Sequence, residues 1–484
     1  MGKGVALSFT EPGLWQGLAL LQHELLLFAG VFFLIGALDD LAVDAAWLWL
    51  RATGRAKTAR VNRVSLRQRQ LSGPAAVLIP AWREDAVIGQ TIRHLLDTWQ
   101  QADLRLYIGC YRNDPDTLGA AIAAARGDTR LRLVIHGHEG PTTKADCLNR
   151  LYAALAMDEA RSGRRYAMLV FHDAEDMVDA GALGLLDEAV EAGADFVQLP
   201  VEPLVPRQRA WLERQIGSHY CEEFAEAHGK ALVVRDALGA GLPGAGVGCA
   251  ASRRALDWLV ARHIEEGGAA GLPFASDSLT EDYELGLAIA AAGGRCRFVR
   301  ARGEDGRLIA TRAFFPHRFE NVVRQKARWV LGIALQGWDR VGWDGGLRET
   351  WMRARDRRGP MTALVLLVGY ALVFLTAIMG LLVVAGVAQP PPLTPLLAAV
   401  LIANGVAFVW RIAMRFVFTA REYGSVEGLF AVLRLPLANI IAIIAGRRAV
   451  TAYIGTLGGR KAVWDKTDHD AHPAEAGLFG PARR

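Results

Sequence analysis

The sequence has few cysteines and no closely spaced pair of them. Its five cysteines, at positions 110, 147, 221, 249 and 296, are odd in number and form no CxxC motif. This pattern argues against a disulfide framework and against a cysteine-ligated zinc site. We therefore expect the chain to fold in a reducing compartment.

The chain also lacks a continuous basic stripe. Its formal net charge is only +5 over 484 residues, and Lys and Arg concentrate beside apolar segments. This distribution argues against a nucleic-acid partner. It is typical of positive residues that mark the cytosolic side of membrane helices.

The apolar residues are concentrated towards the two ends of the chain. The stretch 14–38 runs into acidic residues without a small-residue cleavage site, so we predict an uncleaved membrane anchor over 1–50. Segment 51–70 carries seven Lys or Arg and no acid, which predicts a cytosolic linker. Apolar runs at 361–388 and 396–418, joined by the uncharged turn 389–395, predict a transmembrane hairpin within 346–420.

The last apolar piece, 429–444, contains Arg434 and Pro436. A charge and a proline in so short a run favour an interfacial or re-entrant helix over a fourth span. We therefore predict an interfacial helix and a cytosolic tail over 421–484. The central domain, 71–345, is expected to lie in the cytosol.

Within this central domain, short β-rich runs alternate with helical ones. Strands are predicted at 75–79, 105–110, 131–135, 166–171 and 196–199, and helices at 87–98, 117–126, 145–161 and 180–191. The alternation predicts an α/β domain with a doubly wound sheet. Ligands of such sheets bind beyond the carboxyl ends of the strands, where most of the polar motifs fall.

The most informative motif is HDAED at 172–176, directly after a predicted strand. Asp173 and Glu175 could together bind a hard divalent cation that holds a diphosphate. Asp176 could replace Glu175 as a ligand, whereas His172 is expected to be structural. The alternative is that these acids only solvate a turn and cap the next helix.

Two further motifs suit a nucleotide. Glu84 lies in the loop PAWRED after the first strand, which could hold a nucleoside or be an ordinary turn. Lys144 opens a helix and could bind a phosphate oxygen there, although a solvated lysine is the commoner arrangement.

Two helical motifs complete the set. Glu281 and Asp282 begin a helix, where a carboxylate could act as a general base or merely as a cap. Gln325, Arg328 and Trp329 lie on one side of another helix. They offer an amide, a guanidinium and a ring to a sugar, or alternatively an aromatic anchor near the membrane.

Taken in order, these motifs resemble those of the family 2 glycosyltransferases with the GT-A fold, particularly the processive membrane synthases of the cellulose and hyaluronan synthase type. The family's Asp-x-Asp, Thr-Glu-Asp and Gln-x-x-Arg-Trp motifs match 173–175, 280–282 and 325–329. The resemblance covers about 70–340. The tail at 462–469 and the HDAED form narrow it to bacterial inner-membrane members associated with surface polysaccharide.

The resemblance implies a role for each motif. It assigns Asp173 and Glu175 to a divalent cation, Mg or Mn, and the diphosphate; Lys144 to the phosphates; Asp282 to the general base, with Glu281 beside it; and Gln325, Arg328 and Trp329 to the acceptor. The family usually has an acidic pair after the second strand. Here only Asn113 or Asp114 could contact the base and ribose.

The implied function is an inverting, metal-dependent hexosyltransferase of the bacterial inner membrane, with a cytosolic catalytic domain. It would use a nucleotide-diphosphate sugar to build or extend a surface or exported polysaccharide. Expected partners are the donor, a glycan or lipid-linked acceptor and the membrane, with an outer-membrane export protein as a further candidate. Two alternatives stay open: a catalytically retired scaffold or receptor component of an export complex, and a nucleotidyltransferase.

Overall fold

The computed structural model describes residues 12–206, 210–265, 271–387, 393–459 and 472–476. Three stretches used in the sequence predictions fall outside these ranges, wholly or in part. They are the first eleven residues of the anchor, positions 389–392 of the uncharged turn, and the tail at 462–469.

The elements follow one another in an alternating order. The strands are β1 (Ala59–Arg60), β2 (Ala75–Pro80), β3 (Leu104–Tyr111), β4 (Leu131–His136), β5 (Met168–Phe171), β6 (Phe196–Gln198), β7 (Val201–Pro203), β8 (Cys249–Ser252), β9 (Cys296–Phe298), β10 (Ala301–Arg302) and β11 (Thr311–Ala313). The helices are α1 (Pro12–Ala52), α2 (Arg63–Gln68), α3 (Ile88–Thr98), α4 (Pro115–Ala125), α5 (Lys144–Ser162), α6 (Ala182–Glu191), α7 (Trp211–Glu226), α8 (Leu232–Leu238), α9 (Arg253–Glu265), α10 (Glu281–Ala291), α11 (Phe319–Trp329), α12 (Gly337–Val341), α13 (Leu347–Arg357), α14 (Gly359–Val384), α15 (Pro395–Tyr423), α16 (Ser425–Leu433) and α17 (Leu435–Leu457). Two π-helical segments, Ala227–Ala231 and Val330–Gln336, join α7 to α8 and α11 to α12, and a 3-10 turn covers Pro473–Ala476.

The main sheet has seven strands in the order β4-β3-β2-β5-β8-β6-β9. Strand β2 pairs in parallel with β3 and β5, and β3 pairs in parallel with β4. The carboxyl ends of these four strands therefore lie along one edge of the sheet. The predicted α/β sheet is confirmed.

Helices cover both faces of this sheet, as the apolar character of β2 at every position indicates. Ala75, Val77 and Ile79 pack into a core with α3 and α6. Ala76 and Leu78 pack on the other face with α5 and α9. The sheet is thus rigid at its centre, and the loops at its carboxyl edge are held on a fixed base.

Strand β8 is absent from the sequence prediction. It lies between β5 and β6 and pairs antiparallel with both. Its four residues are small and fully buried, and they lack the β-branched and aromatic side chains that usually mark a strand. Tertiary packing therefore determines this strand, which local propensity does not reveal.

Four described helical segments are long and apolar enough to cross a membrane. They are Gly17–Ala52, Gly359–Val384, Pro395–Tyr423 and Leu435–Leu457. The first three occupy the stretches predicted as the anchor and the hairpin, and α1 packs against both α14 and α15. These helices indicate a membrane protein.

Ion pairs join these helices near one end of α1. Arg358, just before α14, lies 2.7 Å from Asp39 and 2.9 Å from Asp40. Arg411 of α15 also pairs with Asp40. The acidic residues that follow the first apolar stretch therefore hold the three helices together.

The last apolar piece is longer than the sequence suggested and is divided in two. Helix α16 ends at Leu433 and α17 begins at Leu435. Arg434, at the junction, is buried and lies 2.8 Å from Glu222 of α7. Near the other end of α17, Tyr453 donates to Asp339 (2.9 Å). Helix α17 therefore contacts the central domain that contains the sheet (71–345, called the sheet-containing domain) near both ends.

Candidate active site

A cavity of about 160 Å³ lies at the carboxyl edge of the sheet. Of the residues predicted from the sequence, those that line it are Glu84, Lys144, Asp173, Glu175, Glu281, Asp282, Gln325, Arg328 and Trp329. Motifs far apart in the sequence therefore meet in one place. Asp114 is not among the described residues that line this cavity.

The acidic loop, residues 172–178, follows β5. Two of its acidic side chains, Asp173 and Glu175, are only partly buried, and a third, Asp176, forms hydrogen bonds within the loop. Asp173 and Glu175 are half-buried and line the cavity. Asp176 is buried, and its carboxylate accepts hydrogen bonds from His172 Nδ1 (2.8 Å) and the Asp173 N–H (3.0 Å). His172 and Asp176 therefore stabilise the loop, whereas Asp173 and Glu175 line the cavity.

Lys144 is the first residue of α5, a helix capped by the side chain of Thr143. Its Nζ lies 2.5 Å from Asp173 Oδ1 and 3.7 Å from Glu281 Oε1. Burial favours the neutral amine, but the negative charges of Asp173, Glu281 and Asp282 outweigh it and raise the pKa of Lys144. The result is a fixed positive charge at a helix N-terminus, a combination that suits a phosphate oxygen.

Glu281 and Asp282 begin α10. Asp282 Oδ1 accepts from the Tyr283 N–H (2.7 Å), and its Oδ2 lies so close to Gly246 that a Cβ there would be 2.6 Å away. Gly246 also has a φ of +77°, so this position requires glycine for two reasons. Burial raises the pKa of both carboxyl groups, that of Glu281 to about 7. A carboxylate with a raised pKa is suited to take up a proton.

Asp173 and Glu175 together fit part of the coordination shell of a divalent cation. Within the described ranges, no group of three or more His, Cys, Asp and Glu side chains is placed to hold a metal ion. Mg²⁺ commonly binds through one or two carboxylates and completes its shell with waters and substrate phosphates. The donor set therefore fits a metal that arrives together with a diphosphate.

Another part of the cavity lining is formed by Gln325, Arg328 and Trp329 of α11 and Phe224 of α7. Together with Tyr220 of α7, which contacts Gln325 and Trp329, these residues are called the aromatic wall. The Tyr220 hydroxyl donates to Gln325 Oε1 (2.6 Å). The ring of Trp329 meets that of Tyr220 edge-on, with 6.0 Å between centroids. Such a wall offers apolar faces together with polar groups.

Asp114 and Asn113 are occupied in holding loops. Asp114 caps α4 and accepts from the Arg83 N–H (2.6 Å). The side-chain amide of Asn113 exchanges two hydrogen bonds with the backbone of Gly140 (2.9 and 2.8 Å). Both carboxylate oxygens of Asp114 are thus already hydrogen-bonded within the protein. Glu84, by contrast, lines the cavity.

Several parts of the site were not predicted from the sequence, among them the segment 313–316, which lines the cavity. Another is the glycine-rich segment 241–248, in which the Gly244 N–H donates to the backbone carbonyl of Asp282 (3.2 Å). The aromatic side chains of Trp82, Tyr111 and Tyr220 were not predicted either. The spacing of glycines in GLPGAGVG could have indicated a close backbone approach. The aromatic residues carry no comparable local signal.

The comparisons with known proteins identify the family of this chain. Residues 73–332 match the model described as "Glycosyltransferase like family 2". Bacteriophage adsorption protein B of Escherichia coli (strain K12) is 33% identical over 472 residues, which cover 91% of this chain and 61% of that protein. Bacteriophage N4 adsorption protein B of Escherichia coli O157:H7 gives the same values. The chain therefore spans 61% of the length of these curated relatives.

Among solved structures, the mannosyltransferase PcManGT from Pyrobaculum calidifontis, in complex with GDP-Man and Mn²⁺, is 16% identical with a TM-score of 0.47. The structural alignment covers 84% of this chain and 98% of the mannosyltransferase chain. Glucosyl-3-phosphoglycerate synthase from Mycobacterium tuberculosis, in complex with Mn²⁺, UDP and phosphoglyceric acid, is 17% identical with a TM-score of 0.36, covering 60% and 88%.

The match to the family model covers more than half of the chain, and it includes every residue that the sequence placed in the site. The resemblance drawn from the Asp-x-Asp-like, Thr-Glu-Asp and Gln-x-x-Arg-Trp motifs is confirmed. The narrower group indicated by the HDAED form and the tail is that of phage adsorption protein B (NfrB), and the two curated relatives confirm this likeness. The chain therefore belongs to the family 2 glycosyltransferases.

Proposed function

We propose that this chain is an inverting, metal-dependent hexosyltransferase that uses a nucleotide-diphosphate sugar. One observation carries the proposal: Asp282 lines the same cavity as Lys144, Asp173, Glu175 and the aromatic wall, and its carboxyl group interacts with the charges of both Lys144 and Arg328. This half-buried carboxyl group with a raised pKa supports a role in taking a proton from an acceptor.

Each side chain has a task in a single displacement. When bound by Asp173 and Glu175, Mg or Mn would neutralise the leaving diphosphate. Lys144 would bind a phosphate oxygen, and Glu84, which lines the same cavity, would contact the nucleoside. Asp282 takes the proton of the acceptor hydroxyl, which attacks the anomeric carbon from the face opposite the diphosphate and so inverts it.

The aromatic wall orients the acceptor for this attack. Gln325 and Arg328 supply hydrogen-bonding groups, and Trp329 supplies a ring on which a sugar can stack. Holding the hydroxyl in line with the anomeric carbon lowers the entropic cost of the reaction. In this proposal the wall acts on the acceptor and leaves donor binding largely unchanged.

The cellular setting is part of the proposal. Basic residues flank the central domain on both sides, at 51–70 and at 353–358, which favours a cytosolic catalytic domain on the bacterial inner membrane. The product would then be a surface or exported polysaccharide, built on a glycan or lipid-linked acceptor. An outer-membrane export protein is a candidate partner.

Metal dependence tests the proposal. Excess chelator should abolish release of nucleoside diphosphate from a panel of nucleotide sugars, and Mn or Mg should restore it. Asp173→Asn should keep the fold and lose most turnover, because a metal at a leaving group contributes several kcal/mol. Asp116→Asn, which removes an exposed acid of α4, is the matched control. Full activity in excess chelator would contradict the proposal.

A second function has its own support. The curated relatives are named as bacteriophage adsorption proteins, which favours a receptor or scaffold component without turnover. Such a protein could still bind nucleotide. Binding without transfer to any acceptor tried, on preparations with an intact fold, would favour this alternative over the enzyme.

A further inference from the structure

The backbone of the acidic loop is fixed from several sides. Helix α3 supplies two donors, Thr91 to the carbonyl of Ala174 and His94 to that of Val178 (2.9 Å). Strand β11 exchanges two backbone hydrogen bonds with Met177 (2.8 and 2.9 Å). These partners all belong to the sheet-containing domain. The carbonyl of Asp176 lies between them in the sequence.

The partner of the Asp176 carbonyl comes from far along the chain. His472 Nε2 lies 3.4 Å from this oxygen, across 296 positions of sequence. The His472 side chain is 0% exposed, although the turn that follows it, Pro473–Ala476, belongs to none of the domain's helices or strands. A contact so distant in sequence joins the end of the described chain to the acidic loop.

The protonation state of His472 is fixed by its neighbours. The Ala474 N–H donates to Nδ1 (3.1 Å), so Nδ1 carries no proton. Burial lowers the pKa of His472 to about 4, which keeps the ring neutral at physiological pH. A neutral ring with a bare Nδ1 carries its proton on Nε2. His472 is therefore a donor aimed at the Asp176 carbonyl.

We propose that His472 is a positioning residue for the loop that binds metal and diphosphate, an inference that rests on the proposed function. Asp176 is the residue through which this contact acts on the loop. Its side chain holds His172 and the Asp173 N–H, and its backbone carbonyl receives His472. Fixing Asp176 on both sides fixes the spacing at which Asp173 and Glu175 are presented to a ligand.

This arrangement links one half of the site to the tail. The segment that carries His472 follows α17, the last of the apolar helices. Its contact is made behind the acidic loop, whereas the aromatic wall is formed by α7 and α11. Loss of the contact therefore weakens the binding of metal and diphosphate and leaves the binding of acceptor unchanged.

The test compares His472→Ala and His472→Gln in the full chain with the wild type. Binding of Mn²⁺ in the presence of an equimolar mixture of UDP and GDP is measured by electron paramagnetic resonance, and KM is measured separately for donor and acceptor. In His472→Ala, the Kd for Mn²⁺ and the KM for donor should rise about 3- to 10-fold, as expected for one lost hydrogen bond. The KM for acceptor should not change. His472→Gln retains an N–H donor and should recover part of the loss.

His263→Ala is the matched control, since His263 also bonds a loop carbonyl, that of Leu272 (2.9 Å), away from the cavity. It should leave metal binding and both KM values at their wild-type levels. Equal changes in both KM values for His472→Ala, or no gain in His472→Gln, would overturn the positioning role. If the wild type binds Mn²⁺ with nucleotide and His472→Ala binds it equally well, this inference fails and the proposed function stands. If the wild type shows neither binding nor transfer, the proposed function fails, and this inference with it.

Discussion

Glu281 and Asp282 are neighbours at the start of α10, but their surroundings differ. Glu281 is 5% exposed and its carboxylate faces the Lys144 ammonium. Asp282 has one oxygen on the Tyr283 N–H and the other over Gly246, where the glycine leaves space. We therefore propose that Asp282 takes up the proton, while Glu281, together with Asp173, stays paired with Lys144.

Asp282→Asn should therefore stop transfer while leaving donor binding intact. Loss of a general base costs on the order of 10² to 10⁴ in rate, and the side chains that hold the diphosphate are unchanged. Trp329→Ala should instead raise the KM for acceptor more than that for donor. Nucleotide binding and sugar incorporation, measured on the same preparations, check both expectations. Wild-type incorporation by Asp282→Asn would make Glu281 the base.

The same burial predicts the pH dependence of the reaction. Desolvation raises the pKa of Glu281 from 4.5 to about 7 and also raises that of Asp282. The base must be ionised, so kcat/KM should fall as the pH drops below the raised pKa of Asp282. Glu281→Gln removes a neighbouring negative charge and should move this acidic limb to lower pH. An acidic limb at the same pH in Glu281→Gln and in the wild type would contradict the assignment.

The contribution of Glu281 to the free energy of unfolding should change with pH in the direction opposite to that of kcat/KM. Between pH 4.5 and about 7 the folded protein retains the Glu281 proton that the unfolded chain releases. The free energy of unfolding therefore falls as the pH rises across this interval, as far as this group is concerned. Activity and this contribution to stability thus oppose each other near neutral pH.

Among the elements, α17 decides the topology of the C-terminal region. It is long and apolar enough to span a membrane. Yet Arg434 just before it pairs with Glu222, and Tyr453 near its end bonds Asp339, both residues of the sheet-containing domain. A helix whose two ends touch one domain on one side of a membrane lies along that domain. We therefore propose that α17 is interfacial.

Reporter fusions test this topology. Fusions at Arg421 and at Asp465 should report the same side of the membrane, and a fusion near Asp282 should report the cytosol. A fusion in the 389–395 turn is the control and should report the opposite side. Reporters at Arg421 and Asp465 on opposite sides would show that α17 crosses the bilayer.

The elements also show what a sequence can and cannot reveal. Strands β2 and β3 were predictable because continuous apolar runs are typical of strands buried on both faces. Most motif residues were predictable because they follow a strand or open a helix, and Gln325, Arg328 and Trp329 because they lie at helical spacing. Strand β8 and the partnership of Tyr220 with Gln325 were not. They depend on contacts between distant parts of the chain, which leave no periodic pattern in either part.

At the scale of the whole molecule, one buried carboxylate joins the membrane helices to the domain. Glu222 of α7 is 0% exposed and lies 3.0 Å from Arg415 of α15 and 2.8 Å from Arg434. Removing one member of such a network leaves buried charge without its partner. The ion pairs therefore hold α15, α16 and α7 in one arrangement.

Glu222→Gln should accordingly destabilise the protein by about 3–5 kcal/mol, the usual cost of breaking a buried ion pair. Thermal unfolding of the detergent-solubilised protein measures this loss. Glu320→Gln breaks the exposed pair with Arg448 and should change the midpoint little. Equal shifts in the two variants would mean that the Glu222 network does not hold the helices to the domain.

The two sides of the cavity have separate origins in the chain. The acidic loop and Lys144 lie before residue 180, whereas Gln325 and Trp329 lie on α11, which packs against α17. Each side is anchored on its own neighbours, and both line the same cavity. Under the proposed function, the two sides could change separately in evolution. Substitutions in α7 and α11 could redirect the same activated sugar to a new acceptor while the grip on its diphosphate is inherited unchanged.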